Sequence, residues 1–278
     1  MKVVEFTALV GLGSVVAGFL GALTGLGGGV VIVPLLVLGF GVDIRYAMGA
    51  SLVSVIATSS GAAAAYVKEG YSNIRVGMFL EIATTFGALF GAFLVAKVST
   101  PAIGVIFGVV LLASAYLSSQ PRKPDPTVRE AGLLARRLSM DSSFPTPDGP
   151  RAYHVHRVPL GFGLMFVAGT LSGLLGIGSG AFKVVAMDQA MGIPFKVSTT
   201  TSNFMIGVTA AASAGVYLSR GYIDPGLAMP VMLGVLLGSL AGVRVLVKAD
   251  TRRLRLVFGV VIAALAVEML YNGLTGRL

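Results

Sequence analysis

Long apolar runs alternate with short polar connectors along the chain. A helix needs about 20 apolar residues to cross the hydrocarbon layer of a membrane. Runs of that length predict eight membrane-spanning helices, at about 4–24, 46–67, 74–96, 101–118, 157–177, 198–218, 225–247 and 255–272. Two shorter apolar runs, 29–40 and 180–192, reach only about 18–20 Å as helices. We interpret them either as short spans that thin the membrane or as helices that end within it.

The pattern occurs twice, with a spacing of 151 residues. The glycine-rich segment 18–29 returns as segment 169–180, and the spacing holds as far as Phe107-Gly108 and Phe258-Gly259. Such doubling is typical of transporters built from two structural repeats. We therefore predict an all-α, polytopic integral membrane protein with two pseudo-symmetric repeats of about five membrane helices each, one of them short. The first repeat covers 1–118, a linker covers 119–156, and the second repeat covers 157–278.

The composition excludes a soluble globular protein. Of 278 residues, 55% are hydrophobic and only 12% are charged, with a mean hydropathy of +0.87, whereas soluble domains carry about 25% charged residues. The net charge of +9 does not indicate nucleic-acid binding, because most basic residues lie in the short connectors between apolar runs. We infer that they orient the protein in a lipid bilayer.

The charges also predict a topology. With five membrane elements in each half, most basic residues fall on the same side as the linker. The positive-inside tendency then places the linker in the cytoplasm and both termini outside. An odd number of elements inverts the second repeat relative to the first. Within the linker we predict a basic amphipathic helix over 128–140 and turns over 144–150. A regulatory role stays open, although the linker reads more simply as a connection between the two halves.

The two glycine clusters are the first candidate binding site. Each lies between a long helix and a short one, and a short helix that starts there presents unpaired N–H groups and a positive dipole end to an anion. The candidate residues are Gly27, Gly28, Gly29, Gly178, Ser179 and Gly180. Close packing of helices is the alternative explanation. No strand is expected before either cluster and no P-loop lysine-serine pair follows, so a nucleotide site is not indicated.

Hydroxyl and amide side chains recur in the spans that follow the clusters. Such groups donate neutral hydrogen bonds to an oxyanion. The candidate substrate-binding residues are Ser51, Thr58, Thr201, Ser202 and Asn203. Capping of a helix start is the alternative role for the serines and threonines.

A few charged residues lie within the apolar runs. Lys183, three residues after the second cluster, is predicted to neutralise an anionic substrate. An ion pair with Asp188, or extension of the lysine to the membrane surface, is the alternative. Glu81, Asp188 and Glu268 are candidates for proton coupling. Glu81 and Glu268 lie within about two turns of a span end, so a hydrated structural role is an equal alternative for them. No catalytic constellation or metal-binding set is found, so we predict neither an enzyme nor a cofactor.

The motifs resemble those of the sulfite exporter TauE/SafE family, also called the toluene sulfonate uptake permease family. The resemblance is carried by segments 25–36, 48–52, 68–71 and 87–91 and by their second-half counterparts 176–180 and 220–224. It implies an integral plasma-membrane transporter of small sulfur-containing anions, such as sulfite, sulfonates or sulfoacetate. The family's glycine motifs correspond to Gly25, Gly27, Gly28 and Gly29 and to Gly176, Gly178 and Gly180.

We therefore expect a secondary transporter that binds its anion between the two short helices. Alternating access would rock one half of the chain against the other around that site. A small-anion channel is the main alternative, and an intramembrane enzyme or a membrane sensor is a weaker one. The expected partners are the anionic substrate, the bilayer and, as a candidate assembly, a homodimer.

Overall fold

The computed structural model describes residues 3–24, 28–68, 72–119, 132–146, 149–246 and 251–278. The helices before the central connector are α1 (Val3–Thr24), α2 (Gly29–Pro34), α3 (Ile44–Lys68), α4 (Ile74–Leu94) and α5 (Thr100–Ser119). The connector holds α6 (Leu133–Arg137) and the strands β1 (Ser142–Thr146) and β2 (Gly149–Tyr153). The second part contains α7 (Val158–Leu175), α8 (Gly180–Val185), α9 (Phe195–Ser219), α10 (Pro225–Leu246) and α11 (Thr251–Leu274).

The predicted all-α polytopic membrane fold is confirmed. Within the described ranges, five helices are both long and apolar enough to cross a membrane: α1, α4, α5, α7 and α10. The equally long helices α3 and α9 contain more serine and threonine. Each of these helices is at least 18 residues long, which gives about 27 Å or more and matches a hydrocarbon layer of about 30 Å.

The two short apolar runs form short helices. α2 continues into a π-helical turn, Leu35–Gly39, and α8 continues into Ala186–Ala190. Before α8 the chain leaves helical geometry through Gly176 (φ 65°), which ends α7, and Ser179 (φ 42°), which precedes α8. The positive φ of Gly176 suits a glycine, because the absence of a β-carbon removes the steric penalty of left-handed backbone.

The helix starts repeat with the spacing found in the sequence. The starts of α2, α3, α4 and α5 precede those of α8, α9, α10 and α11 by 151 residues in each case. The two π-helical turns have the same spacing. The interpretation of the chain as two structural repeats stays a prediction.

Helices from the two halves of the chain are interleaved. α1 packs on α10, α4 on α7, α5 on α11 and α3 on α9. Two mixed groups result, which we name bundle A (α1, α2, α3 and α10) and bundle B (α4, α7, α8 and α9). Each bundle contains three helices from one half and one from the other, so neither half of the chain forms a bundle by itself.

Glycines allow the closest of these interfaces. A β-carbon added at Gly91 of α4 would overlap the carbonyl oxygen of Thr170 in α7. In the same way, a β-carbon at Gly238 of α10 would overlap the carbonyl oxygen of Val15 in α1. The same overlap with backbone occurs at Gly18, Gly87, Gly169 and Gly173. Small residues let helix backbones approach closely. Such packing is important in lipid, because acyl chains are as apolar as the helix side chains and the hydrophobic effect does not drive helices together.

The central connector differs from the sequence-based expectation. Within the predicted helix 128–140, the described residues form only the five-residue helix α6, and residues 128–131 lie outside the described part of the chain. The prediction of turns over 144–150 is wrong for most of that segment. β1 and β2 pair there in an antiparallel hairpin, from Ser142 opposite Tyr153 to Thr146 opposite Gly149. An isolated hairpin is marginally stable, and this one buries Phe144 and Tyr153 against the helices.

Replacing Gly91 by alanine should destabilise the protein. The added methyl group must push α4 away from the α7 backbone, and overpacking of this kind costs about 1–3 kcal/mol. Gly163→Ala is the matched control, because Gly163 is exposed on α7 and its β-carbon would meet nothing within 4 Å. Thermal unfolding in detergent measures both variants. Equal melting temperatures for the two would contradict the assigned α4–α7 contact.

Candidate membrane-embedded anion site

Hydroxyl groups of neighbouring residues satisfy the carbonyls at the break between α7 and α8. The Tyr217 hydroxyl donates to the carbonyl of Gly173 at 3.0 Å, and the Ser172 hydroxyl donates to the carbonyl of Ile177. Both side chains are buried. Irregular backbone at membrane depth is tolerated only where protein groups or a wet cavity satisfy it. These bonds therefore explain how the helix can stop at this position.

The two glycine breaks meet each other. Ser51 of α3 donates its hydroxyl to the carbonyl of Gly176 at 2.8 Å. A β-carbon added at Gly29, the first residue of α2, would lie 2.6 Å from the Ser51 oxygen and 3.7 Å from the Gly176 oxygen. Ser51 thus joins the start of α2 to the end of α7, across the contact between bundles A and B.

Apolar side chains close the space around these breaks. A β-carbon at Gly178 would lie 2.6 Å from Ile206 of α9 and 3.5 Å from Val55 of α3. On the other side, a β-carbon at Gly28 would lie 2.7 Å from Val235 of α10. The structure is therefore tightly packed at the positions where the sequence predicts an anion.

Ser179 has two unusual properties. Its backbone is left-handed, with φ 42°, which is uncommon for a residue with a β-carbon. Its side chain is only 3% exposed, and the hydroxyl has no hydrogen-bond partner among the described residues. Strained backbone and unsatisfied buried polar groups are both concentrated at functional sites.

A buried polar chain links Lys183 of α8 to Glu81 of α4. The Lys183 ammonium donates to the Thr209 hydroxyl of α9 at 2.6 Å, and that hydroxyl lies 2.7 Å from Oε1 of Glu81. Lys183 is 0% exposed and Glu81 is 7% exposed. Thr85 donates to the same Glu81 oxygen at 3.3 Å, while Oε2 of Glu81 has no hydrogen-bond partner among the described residues. The three helices α4, α8 and α9 of bundle B thereby share one charged network.

The other sequence-predicted residues have varied positions. Thr58 donates to carbonyls of its own helix, and Ser202 donates to the carbonyl of Gly180 at 3.3 Å. Asn203 is half-buried on α9. Asp188 is half-buried in the π-helical turn after α8, and Glu268 is exposed near the end of α11. Gly27 lies outside the described residues. Direct roles of these residues in binding or proton coupling stay predictions.

Thr201 accepts the backbone N–H of Asn73 at 3.0 Å, and its predicted role as a substrate ligand stays a prediction. The Asn73 side chain caps α4 by accepting the N–H of Val76 at 3.1 Å. Its amide group also donates to the carbonyl of Met140 at 2.9 Å and to the Tyr153 hydroxyl at 2.7 Å. Asn73 thereby attaches the connector to the starts of α4 and α9.

Burial raises the pKa of the Tyr153 hydroxyl above its ordinary value. The neutral form is thus the form favoured by the fold. Because the pKa is higher in the folded state, the stability that comes from keeping the Tyr153 hydroxyl neutral is fully present below pH about 10. It is lost as the pH rises through the raised pKa.

Sequence reasoning missed Thr209, Asn73 and Tyr153. Thr209 was visible only as the counterpart of Thr58 in the repeat, and nothing in its local pattern indicates two charged neighbours. Asn73 could have been found, because asparagine directly before an apolar helix is a common N-cap. Tyr153 gave no signal, since its partner is distant in the chain.

Comparison with known proteins adds the family. The family model described as Sulfite exporter TauE/SafE matches residues 10–269. The chain belongs to this family. It is 27% identical to the probable membrane transporter protein YunE of Bacillus subtilis, over 97% of this chain and 99% of that protein. It is 24% identical to the probable membrane transporter protein MJ0441 of Methanocaldococcus jannaschii, over 92% of each.

The resemblance found in the motifs is thus confirmed, and the chain is a multi-pass membrane transporter rather than an enzyme. A further relative, the probable membrane transporter protein YdhB of Bacillus subtilis, is 25% identical over 83% of this TauE/SafE chain and 84% of that protein. No solved structure matches the chain at a significant level.

Replacing Asn73 by alanine should loosen the connector of this TauE/SafE protein. The loss of an N-cap costs about 0.5–2 kcal/mol, and the two bonds to the connector are lost as well. We expect a lower melting temperature and faster protease cleavage between α5 and α7. Asn272→Ala is the control, because Asn272 is half-buried and donates to a carbonyl of its own helix, far from the connector. Cleavage at the wild-type rate would refute the docking role of Asn73.

Proposed function

We propose that this transporter moves a small sulfur-containing anion, of the sulfite, sulfonate or sulfoacetate class, across the plasma membrane by alternating access. The observation that carries the proposal is the fully buried ammonium of Lys183, three residues after the second glycine break. A lysine within the membrane is costly and marks a substrate or ion pathway. The family description, which names a sulfite exporter, supports the choice of anion.

The proposed site suits an anion with several acceptor oxygens. Sulfite and sulfonate groups carry three oxygens around sulfur, so they need several donors from different directions. Lys183 supplies a charged donor, and the buried hydroxyl of Ser179 has no partner within the described ranges. The first N–H groups of a helix lack intrahelical partners. α2 and α8 both begin at the joined breaks, so their first N–H groups lie there. Asn203 and Ser202 of α9 are proposed as further donors, Ser202 by exchanging its bond to the Gly180 carbonyl for one to the anion.

The helix contacts support two structural repeats. Exchanging the two halves turns the α1–α10 contact into the α7–α4 contact, and both exist. The α3–α9 and α5–α11 contacts are each converted into themselves. A pseudo-twofold relation between inverted halves produces this pattern. We keep the linker cytoplasmic on the basis of the basic residues in the connectors.

The interleaving changes which parts are expected to move. Rocking residues 1–118 against 157–278 would separate the α1–α10 and α4–α7 interfaces, where glycines hold backbones in contact. We propose instead that bundle A moves against bundle B. Their main contact is α3 on α9, which carries Ser51, Val55 and Ile206 at the closed breaks. Separation of these two helices opens the path to the site.

Lys183→Met should abolish anion uptake. Hydrogen bonds to charged groups contribute about 1.5–3 kcal/mol each, so losing the ammonium should weaken binding at least about tenfold. Uptake of labelled sulfite and methanesulfonate into proteoliposomes measures the effect. Lys97→Met is the control, because Lys97 is exposed in the turn after α4. Unchanged uptake by a folded Lys183→Met protein would remove the proposed charge role.

Joining α3 to α9 should stop transport. A β-carbon at Gly207 would lie 3.4 Å from the β-carbon of Ser59, near the range of about 3.5–4.5 Å for a disulfide. The chain has no cysteine, so Ser59→Cys with Gly207→Cys creates one defined pair. Uptake should be lost on oxidation and restored by reductant, while each single variant stays insensitive to oxidant. Undiminished uptake by the oxidised pair would argue against the bundle motion. In electrical recordings, a current that does not saturate with anion concentration would favour a channel.

A further inference from the structure

The charged network of bundle B has no equivalent in bundle A. At the spacing of 151 residues, the counterparts of Lys183 and Glu81 are Ile32 and Met232, which are both apolar. The helix packing is nevertheless alike in the two bundles. Packing alone therefore does not require a buried lysine and glutamate. A buried ion pair is often replaceable by apolar residues without loss of stability, so the charges in bundle B call for another explanation.

Lys183 is the charged group that faces Glu81 from the described helices around it. α7, which packs on α4, contains no ionisable residue. In α9 the charged residue is Lys196, which is exposed in the first turn. Arg75, on the same helix as Glu81, is exposed and donates to the carbonyl of Ser139 in the connector. The charge of the Glu81 carboxylate is therefore balanced by the Lys183 ammonium.

A substrate anion would compete with Glu81 for that ammonium. If the anion pairs with the Lys183 ammonium, the Glu81 carboxylate remains buried without a counter-charge. A buried unpaired charge is strongly unfavourable in a low-dielectric environment. A proton bound to the carboxylate removes this penalty. Oε2 of Glu81, which has no hydrogen-bond partner in the described part of the chain, can receive it.

We propose that Glu81, Thr209 and Lys183 form a proton-coupling switch, in which Glu81 is the counter-ion of Lys183 in the empty transporter and binds a proton when a substrate anion replaces it. The inference rests on the proposed anion transport. It assigns coupling to Glu81, whereas Asp188 and Glu268 take no part in it.

Charge balance fixes the stoichiometry of the switch. In the empty state, the carboxylate and the ammonium sum to zero. In the loaded state, a neutral carboxylic acid, the ammonium and a singly charged sulfonate also sum to zero. One proton therefore accompanies one singly charged anion, and the transport is electroneutral.

Thr209 connects the two charges by a reversible hydrogen bond. Its hydroxyl accepts from Lys183 and has one hydrogen, which it can donate to Oε1 of Glu81. When Oε2 of Glu81 is protonated, the carboxyl group becomes neutral and Oε1 becomes a weaker acceptor, so the Thr209 hydrogen can turn to the Met205 carbonyl at 2.9 Å. The ammonium is thereby freed for the anion. Thr209→Val removes this connection while it keeps the shape of the side chain.

The experiment uses the full-length protein in proteoliposomes, with labelled methanesulfonate and labelled sulfite as probes and the membrane potential held at zero. Exchange of labelled for unlabelled anion without a pH gradient tests the proposed function. Accumulation driven by a pH gradient tests the switch. For methanesulfonate, the wild type should show both activities, and an imposed membrane potential should leave its accumulation unchanged.

Glu81→Gln should keep exchange within about threefold of wild type, because the amide imitates the neutral acid, but accumulation should fall to the equilibrium level. Thr209→Val should lower accumulation by about tenfold, the effect expected for loss of one charge-linked hydrogen bond. Thr170→Val and Glu5→Gln are the controls, because Thr170 is half-buried and donates to the carbonyl of Phe166 in its own helix, and Glu5 is exposed in the first turn of α1.

Accumulation by Glu81→Gln at the wild-type level would overturn the switch while leaving anion transport intact. Absence of exchange in the wild type with both probes would overturn the proposed function, and the switch with it. A second measurement covers a Glu81→Gln protein that fails to fold. Adding methanesulfonate to weakly buffered wild-type protein in detergent should raise the pH by the uptake of one proton per bound anion, and binding without proton uptake would overturn the switch.

Discussion

The structure depends on the requirement that every backbone polar group at membrane depth be satisfied by protein. A continuous helix meets that requirement by itself, and a helix that stops does not. The break between α7 and α8 is stable because hydroxyls of Ser51, Ser172 and Tyr217 donate to the carbonyls left at its end. Ser172 lies on α7 itself, whereas Ser51 and Tyr217 can reach the carbonyls only if α3 and α9 approach the end of α7. The tight, glycine-rich packing therefore allows the helix to break at this depth.

The same requirement explains why much of the fold could be predicted. The length of an apolar run is set by the thickness of the membrane, so the bounds of the long helices agree with the sequence within a few residues. The short helices were predicted for the same reason, and the glycines marked where they begin. The hairpin of the connector was not predicted, because Ser142 to Thr146 lacks the regular alternation of a half-buried strand and contains proline.

The candidate site could be predicted only in part. Lys183 and Glu81 were visible because a charge within an apolar run is rare, but their connection was not. They belong to different halves of the chain, and their proximity depends on the pairing of α4 with helices of the second half. Thr201 and Ser51 were expected to bind substrate because they are polar. The structure gives both a backbone partner, which a sequence alone cannot distinguish from a ligand.

The interleaving of helices also has a consequence for biosynthesis. α1 leaves the ribosome well before its principal partner, α10, because the described helices α2 to α9 lie between them in the chain. Until α10 is inserted, the glycine face of α1 meets lipid or another protein rather than its native neighbour. Bundle A can therefore assemble only after α10 has been inserted. A nascent chain truncated before α10 leaves the glycine face of α1 uncovered, and membrane chaperones or quality-control proteases can recognise that face.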